Sequence, residues 1–108
     1  MVDVIRAFLR GLDGPIILWL ISKGHPMHGY ELLKEIERLT GQRLKLSTLY
    51  TLLYRLENDG LITGEWVEKG RRELKRYYLT EKGKALLVKV FDLFKMPIGK
   101  VVIDLLNE

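Results

Sequence analysis

The chain has 108 residues, no cysteine, and 18 basic against 14 acidic side chains, a net charge of +4. That length allows one domain, the lack of cysteine excludes disulfides, thiolate metal sites and thiol nucleophiles, and 47% hydrophobic residues exclude a disordered tail. The longest apolar run, Pro15 to Ile21, is far below the ~20 residues of a membrane span; with acidic Asp3 so early and no secretory signal visible, the class that remains is a small cytoplasmic domain.

In chain order, Val4, Ile5, Phe8, Leu9 and Leu12 give a first helix with one apolar face. Asp13-Gly14-Pro15 interrupts it, and proline suits the first turn of a second helix. That helix runs through Ile16–Ile21, apolar almost all round and therefore central, and stops at Lys23-Gly24. His25-Pro26-Met27-His28-Gly29 reads as a turn. Tyr30, Leu32, Leu33, Ile36 and Leu39 then mark an amphipathic third helix closed by Gly41. Ser47 to Asn58 is a fourth helix, with Ser47 as its N-cap and Gly60 as its stop. At 100° per residue Leu49, Leu52, Leu53 and Leu56 share its inner face. Ser47, Thr51, Tyr54 and Asn58 lie opposite, with Thr48 and Arg55 on one shoulder and Tyr50 and Glu57 on the other. Leu61–Val67 and Leu74–Leu79 read as two strands joined by a basic loop longer than two residues, with Gly70 as its turn glycine. Thr80 caps a long last helical segment, Lys84 to Leu106, with a kink or break before Pro97.

The whole charge excess lies in the middle of the chain. Residues 1–42 and 85–108 are each neutral, whereas residues 43–84 carry ten basic and six acidic side chains. The densest stretch is Lys69-Gly70-Arg71-Arg72-Glu73-Leu74-Lys75-Arg76-Tyr77. Such clusters suit a phosphate backbone, because Arg and Lys neutralise phosphates and release counterions. A solvated hairpin tip would look the same.

Helices followed by a basic hairpin and a long helix give a mainly α (α+β) fold: a winged helix-turn-helix with an N-terminal helix extension and a long C-terminal dimerisation helix. Such a unit sets its second helix in the major groove of double-stranded DNA. Ser47, Thr48, Thr51, Tyr54 and Arg55 are the candidate base-facing residues. Lys69, Arg71, Arg72, Lys75 and Arg76 are the candidate wing contacts, with phosphate contact expected first.

These same stretches resemble the PadR family of transcriptional regulators. The likeness runs through Phe8-Leu9-Arg10-Gly11, Met27-His28-Gly29-Tyr30-Glu31-Leu32, Ser47-Thr48-Leu49-Tyr50, Arg55-Leu56-Glu57, Gly60-Leu61-Ile62, and the close Lys75-Arg76-Tyr77-Tyr78-Leu79-Thr80-Glu81-Lys82-Gly83. Gln42-Arg43-Leu44-Lys45-Leu46 replaces the family's small, proline-bearing approach to the recognition helix, and Glu73-Leu74 is an extra pair at the wing tip. The resemblance implies a dimeric DNA-binding repressor of the short type, often responsive to a small aromatic compound.

Residues 1–83 are then the DNA-binding part, and 84–108 a dimerisation helix of the same compact unit. The last segment has more apolar positions than one stripe, and a patch that size marks an interface. Val4, Phe8, Leu87, Val90, Phe91, Phe94, Val101 and Leu105 are the expected homodimer contacts; the alternative is a helix folded back at Pro97. The resemblance places an aromatic effector near Phe94 and Met96, with Trp19 contributing, although the same residues suit a dimer core. His25 and His28 suit turn capping better than metal binding, no cofactor is expected, and no catalytic constellation is visible. The competing reading is a winged-helix protein-interaction module without specific DNA binding.

Overall fold

In a computed structural model, which describes residues 7, 10–23 and 27–107 (those at 105 and 106 by their backbone), the apolar segment after Leu12 forms helix α1, Asp13–Ser22. Pro15 sits in its first turn, where no helical N–H is lost. Ile17, Leu18, Leu20 and Ile21 are buried, so this helix is the spine of the core. Helix α2, Gly29–Thr40, turns Leu32, Leu33 and Ile36 inward and ends on Gly41 in the left-handed region. Helix α3, Leu46–Asn58, buries Leu49, Leu53 and Leu56. Helix α4, Glu81–Lys95, packs back on α1, and helix α5, Pro97–Leu106, follows.

The segment read as a turn before α2 contains a strand. Met27–His28 forms β1, which pairs antiparallel with β3 (Arg72–Leu79), while β3 pairs along its length with β2 (Ile62–Lys69). The sheet order is β1-β3-β2. Two residues are too few to show alternation, which is why periodicity misses β1. His28 also starts α2: its Nδ1 accepts from the Glu31 N–H at 3.4 Å, and the Glu31 carboxylate accepts from the His28 N–H at 3.4 Å. This reciprocal capping box uses an imidazole where a hydroxyl is usual. Gly29 has a steric role, because a Cβ there would lie 2.9 Å from the Tyr50 ring. The histidine-glycine-tyrosine segment thus makes room for the aromatic of α3.

Two sequence expectations shift. The recognition helix begins at Leu46 with Lys45 at the N-cap and no side-chain cap, so Ser47 lies inside the first turn and not at the cap. The hairpin turn is short: Lys69 pairs with Arg72, leaving Gly70 and Arg71 as a two-residue connection. Gly70 takes φ 66° at the first central position, as a twist-matched turn requires. The last helical segment is two helices, because Met96 is extended (φ −84°, ψ 164°) ahead of Pro97. Thr80 caps α4 as expected, its Oγ1 accepting from the Gly83 N–H at 3.0 Å.

Candidate nucleic-acid interface

Helix α3 presents the polar face that its sequence spacing implies. Ser47, Thr48, Thr51, Tyr54 and Arg55 are all exposed, and among the described residues Tyr54 is the most exposed of the large hydrophobic ones, at 70%. The inner face is closed by Leu49 and Leu53 at 0% exposure, so the helix cannot roll without breaking the core. Thr51 Oγ1 donates to the Ser47 carbonyl at 3.0 Å. Its only proton is therefore engaged, and toward solvent this hydroxyl is an acceptor.

The uncapped start of α3 is lined by residues that the motif reading left out. Arg43, Lys45 and Thr48 border a surface groove with Arg10, Glu37 and Leu44. Glu37 is committed there to the chain itself, its carboxylate accepting from the Leu44 N–H at 3.1 Å. The remaining charge is cationic and lies beside helical N–H groups, an arrangement that favours an anion. The signal was legible in the sequence, since two basic residues directly precede the helix.

The wing sorts its cations by the pleat. Alternation puts Lys75 on the face of Gly64, Trp66 and Tyr77, and puts Lys69, Arg72 and Arg76 on the other. Lys69, Arg71 and Arg72 at the tip are exposed and, among the described residues, have no carboxylate in salt-bridge range. Arg76 is half-buried and directly across from Glu65. Lys75 is not free: its Nζ lies 2.8 Å from Glu57 Oε1 of α3. Lys75, expected as a wing contact to phosphate, thus directs its charge toward α3 in the free chain. Tyr77, behind it, is buried, and burial, with the nearby Glu57 carboxylate next in size, raises its phenol above the ordinary value.

The C-terminal residues divide as well. Leu87, expected at the dimer contact, is 6% exposed and belongs to the core under α1. It sits on the one stripe of α4 that α1 covers. Phe91, Phe94 and Val101 are exposed and Val90 is half-buried. Val4, Phe8 and the side chain of Leu105 lie outside the described residues. Trp19 and Phe94 meet in an apolar groove of about 280 Å³, lined also by Leu12, Pro15, Ile16, Leu87, Val90 and Phe91. Met96 is not among its lining residues; it is the extended residue between α4 and α5. Among the described residues no group of three or more His, Cys, Asp or Glu could hold a metal ion, and no helix is long and apolar enough to cross a membrane.

A largely buried α1 packed by α2 and α4, a helix with an exposed polar face, and a hairpin with a cationic tip define a winged helix-turn-helix protein. The chain belongs to the PadR-like family of transcriptional regulators, whose family model matches residues 17–89. Its fold is similar to that of a PadR family transcriptional regulator from Eggerthella lenta, at 29% identity and a TM-score of 0.79 over 96% of this chain and 89% of that one. A PadR-like transcriptional regulator from Bacillus cereus is similar at 26% identity and a TM-score of 0.79, over 94% and 98% of the two chains. Bacillus subtilis PadR, solved in complex with operator DNA, is similar at 28% identity and a TM-score of 0.65, over 72% of this chain and 45% of that one. Among curated proteins none matches the chain. The family's members are transcriptional regulators and not enzymes.

Proposed function

We propose that this protein is a sequence-specific DNA-binding repressor that acts as a homodimer on a palindromic operator and is released by a small aromatic effector. The observation that carries the reading is the exposed face of α3, made of hydroxyls, a phenol and a guanidinium, beside a wing tip whose three cations are unneutralised. The likeness to a PadR bound to operator DNA supports the same direction. Ser47, Thr48, Thr51, Tyr54 and Arg55 read base edges from the major groove. Lys69, Arg71 and Arg72 grip the backbone, Arg76 reinforces them, and Arg43 and Lys45 hold a phosphate at the start of α3.

Residues 84–108 supply the dimer contact. Phe91, Leu93, Phe94, Ile98, Val101 and Ile103 are all exposed large apolar side chains, and a second copy covers them isologously. The groove at Trp19 and Phe94 is open on one side and apolar throughout. It suits a flat aromatic sandwiched between copies, with repression lost if the bound geometry misplaces the two recognition helices. DNA occupancy at a promoter then acts by occlusion.

The test is titration of a labelled duplex library, cut from the source genome, at several salt concentrations. A steep linear fall of log K with log salt, with selected fragments bound well above random DNA, is the expected result. No binding to any duplex at low salt would overturn the reading in favour of a protein-interaction module.

A further inference from the structure

Glu57 occupies an unfavourable place for an anion. It lies in the last turn of α3, where the helix dipole is negative, and it belongs to the element turned toward DNA. Its two oxygens account for it. Oε1 accepts from Lys75 Nζ at 2.8 Å on β3, and Oε2 accepts from the Gly64 N–H at 3.3 Å on β2. One carboxylate thus ties the recognition helix to both strands of the wing.

The Lys75 side chain is held along its length as well. Its Nζ lies 5.8 Å from the centre of the Trp66 ring and 5.6 Å from that of Tyr77, within cation–π range. Its stem crosses Gly64 so closely that a Cβ there would collide with the Lys75 side chain. Glycine in a strand interior is otherwise unfavourable; here it is the channel through which Lys75 reaches Glu57.

Position along the hairpin makes this contact consequential. Among the described residues β1 pairs with β3 at Tyr77 and Arg76. Beyond them the paired strands are an unflanked ribbon. The tip at Lys69 is five residues past Gly64, roughly 17 Å at strand rise, so a 10° swing at the clasp moves the tip cations by about 3 Å. A displacement of that size separates a made phosphate contact from a lost one.

We infer that the Glu57–Lys75–Gly64 contact is a clasp that fixes the angle between the wing and the recognition helix, so that both meet one duplex without reordering. Glu57 and Lys75 are positioning residues, and the inference rests on the DNA-binding reading only for its functional consequence. Simple electrostatics gives the opposite sign for Glu57: removing a negative charge from a DNA-facing element strengthens binding. The clasp makes Glu57→Gln weaken it.

The test has two arms. In the first, the cysteine-free chain receives Lys34→Cys and Glu73→Cys with spin labels, diluted into unlabelled protein. Pulsed distance measurements read the wing angle within one protomer, without DNA. Glu57→Gln and Gly64→Ala are expected to broaden the distribution by about 3 Å, the displacement of a 10° swing. The exchange Glu57→Lys with Lys75→Glu restores the ion pair to β3 but not the bond to the Gly64 N–H, and is expected to narrow the distribution part-way toward the wild-type width. In the second arm, operator affinity falls about three- to tenfold in Glu57→Gln and in charge-neutral Gly64→Ala, the upper end for a partly buried pair, and the exchange recovers it in part. Melting curves check that each variant folds; Lys75→Met replaces any that does not and is expected to behave as Glu57→Gln. An unchanged distance width in Glu57→Gln and Gly64→Ala overturns the clasp whether or not DNA binds, as does equal or tighter operator binding by Glu57→Gln. Failure of the wild-type protein to bind any duplex overturns the DNA reading instead, and the first arm still decides the clasp.

Discussion

Thr51 and Tyr54 separate base reading from mere adhesion. With its proton given to the Ser47 carbonyl, Thr51 offers an acceptor, so on the proposed reading its expected partner is a base-edge donor, an adenine or cytosine amino group. Thr51→Val and Tyr54→Phe keep shape and remove the oxygen. Each is expected to cost about 1 kcal/mol on operator and close to nothing on random duplex, measured by competitive titration. Equal losses on both DNAs would contradict base reading. Asp13 offers a different residue-scale check. Burial raises its carboxyl above the ordinary 3.8, with the Arg10 guanidinium pulling the other way. The stability gained by protonation is thus present below the unfolded value and lost as pH rises through the higher folded one. Asp13→Asn is expected to melt above the wild type at pH 7, with the gap closing as pH falls toward 4. A variant no more stable at pH 7 would show that the carboxylate is better accommodated in the fold than its burial implies.

At the scale of elements, the joint between wing and α4 is the most demanding. Thr80 Oγ1 donates within range of the Gly60 and Leu61 carbonyls and accepts from the Gly83 N–H. A Cβ at Gly83 would run into the Leu61 carbonyl, a backbone atom that cannot step aside. This explains the threonine-x-x-glycine close. Gly83→Ala is expected to lower stability by about 1–3 kcal/mol in denaturant melts, as overpacking against fixed atoms does; a neutral effect would mean that α4 can shift. Most elements were legible from periodicity, because α1, α2 and α3 each bury a run of leucines and isoleucines that no loop would carry. Strand β1 was not, since two residues hold no pattern. That Lys75 faces away from Lys69, Arg72 and Arg76 could have been foreseen, because residues of one basic run alternate between the faces of a ribbon. The burial of Leu87 under α1 was not legible, because on a helix with apolar residues on several sides composition does not mark the side that faces its own core. The partners of Glu57 depend on a contact 18 residues away in sequence, and no local signal carries that.

For the molecule as a whole, the described chain extends 48 Å along its longest axis, and α5 makes its main contacts with α4 alone. A helix with Ile98, Val101 and Ile103 exposed and so little of its own domain beneath it is the face that the proposed dimer would cover. Val101→Asp, far from both α1 and the wing in the chain order, is expected to shift the mass in light scattering from dimer to monomer with the melting of residues 13–95 little changed. A variant that stays dimeric would clear α5 of the role. The groove at Trp19 and Phe94 carries a matching expectation. A planar aromatic bound there quenches or shifts the fluorescence of Trp19, and Phe94→Ala removes that response.

Hydroxyl-radical footprinting on a duplex selected from the source genome bears most directly on the central claim that α3 and the wing read DNA as a symmetric pair. The expected pattern is two protected segments related by a dyad and about 34 Å apart, one turn of the double helix. Protection of a single segment, or of none at low salt, would contradict it.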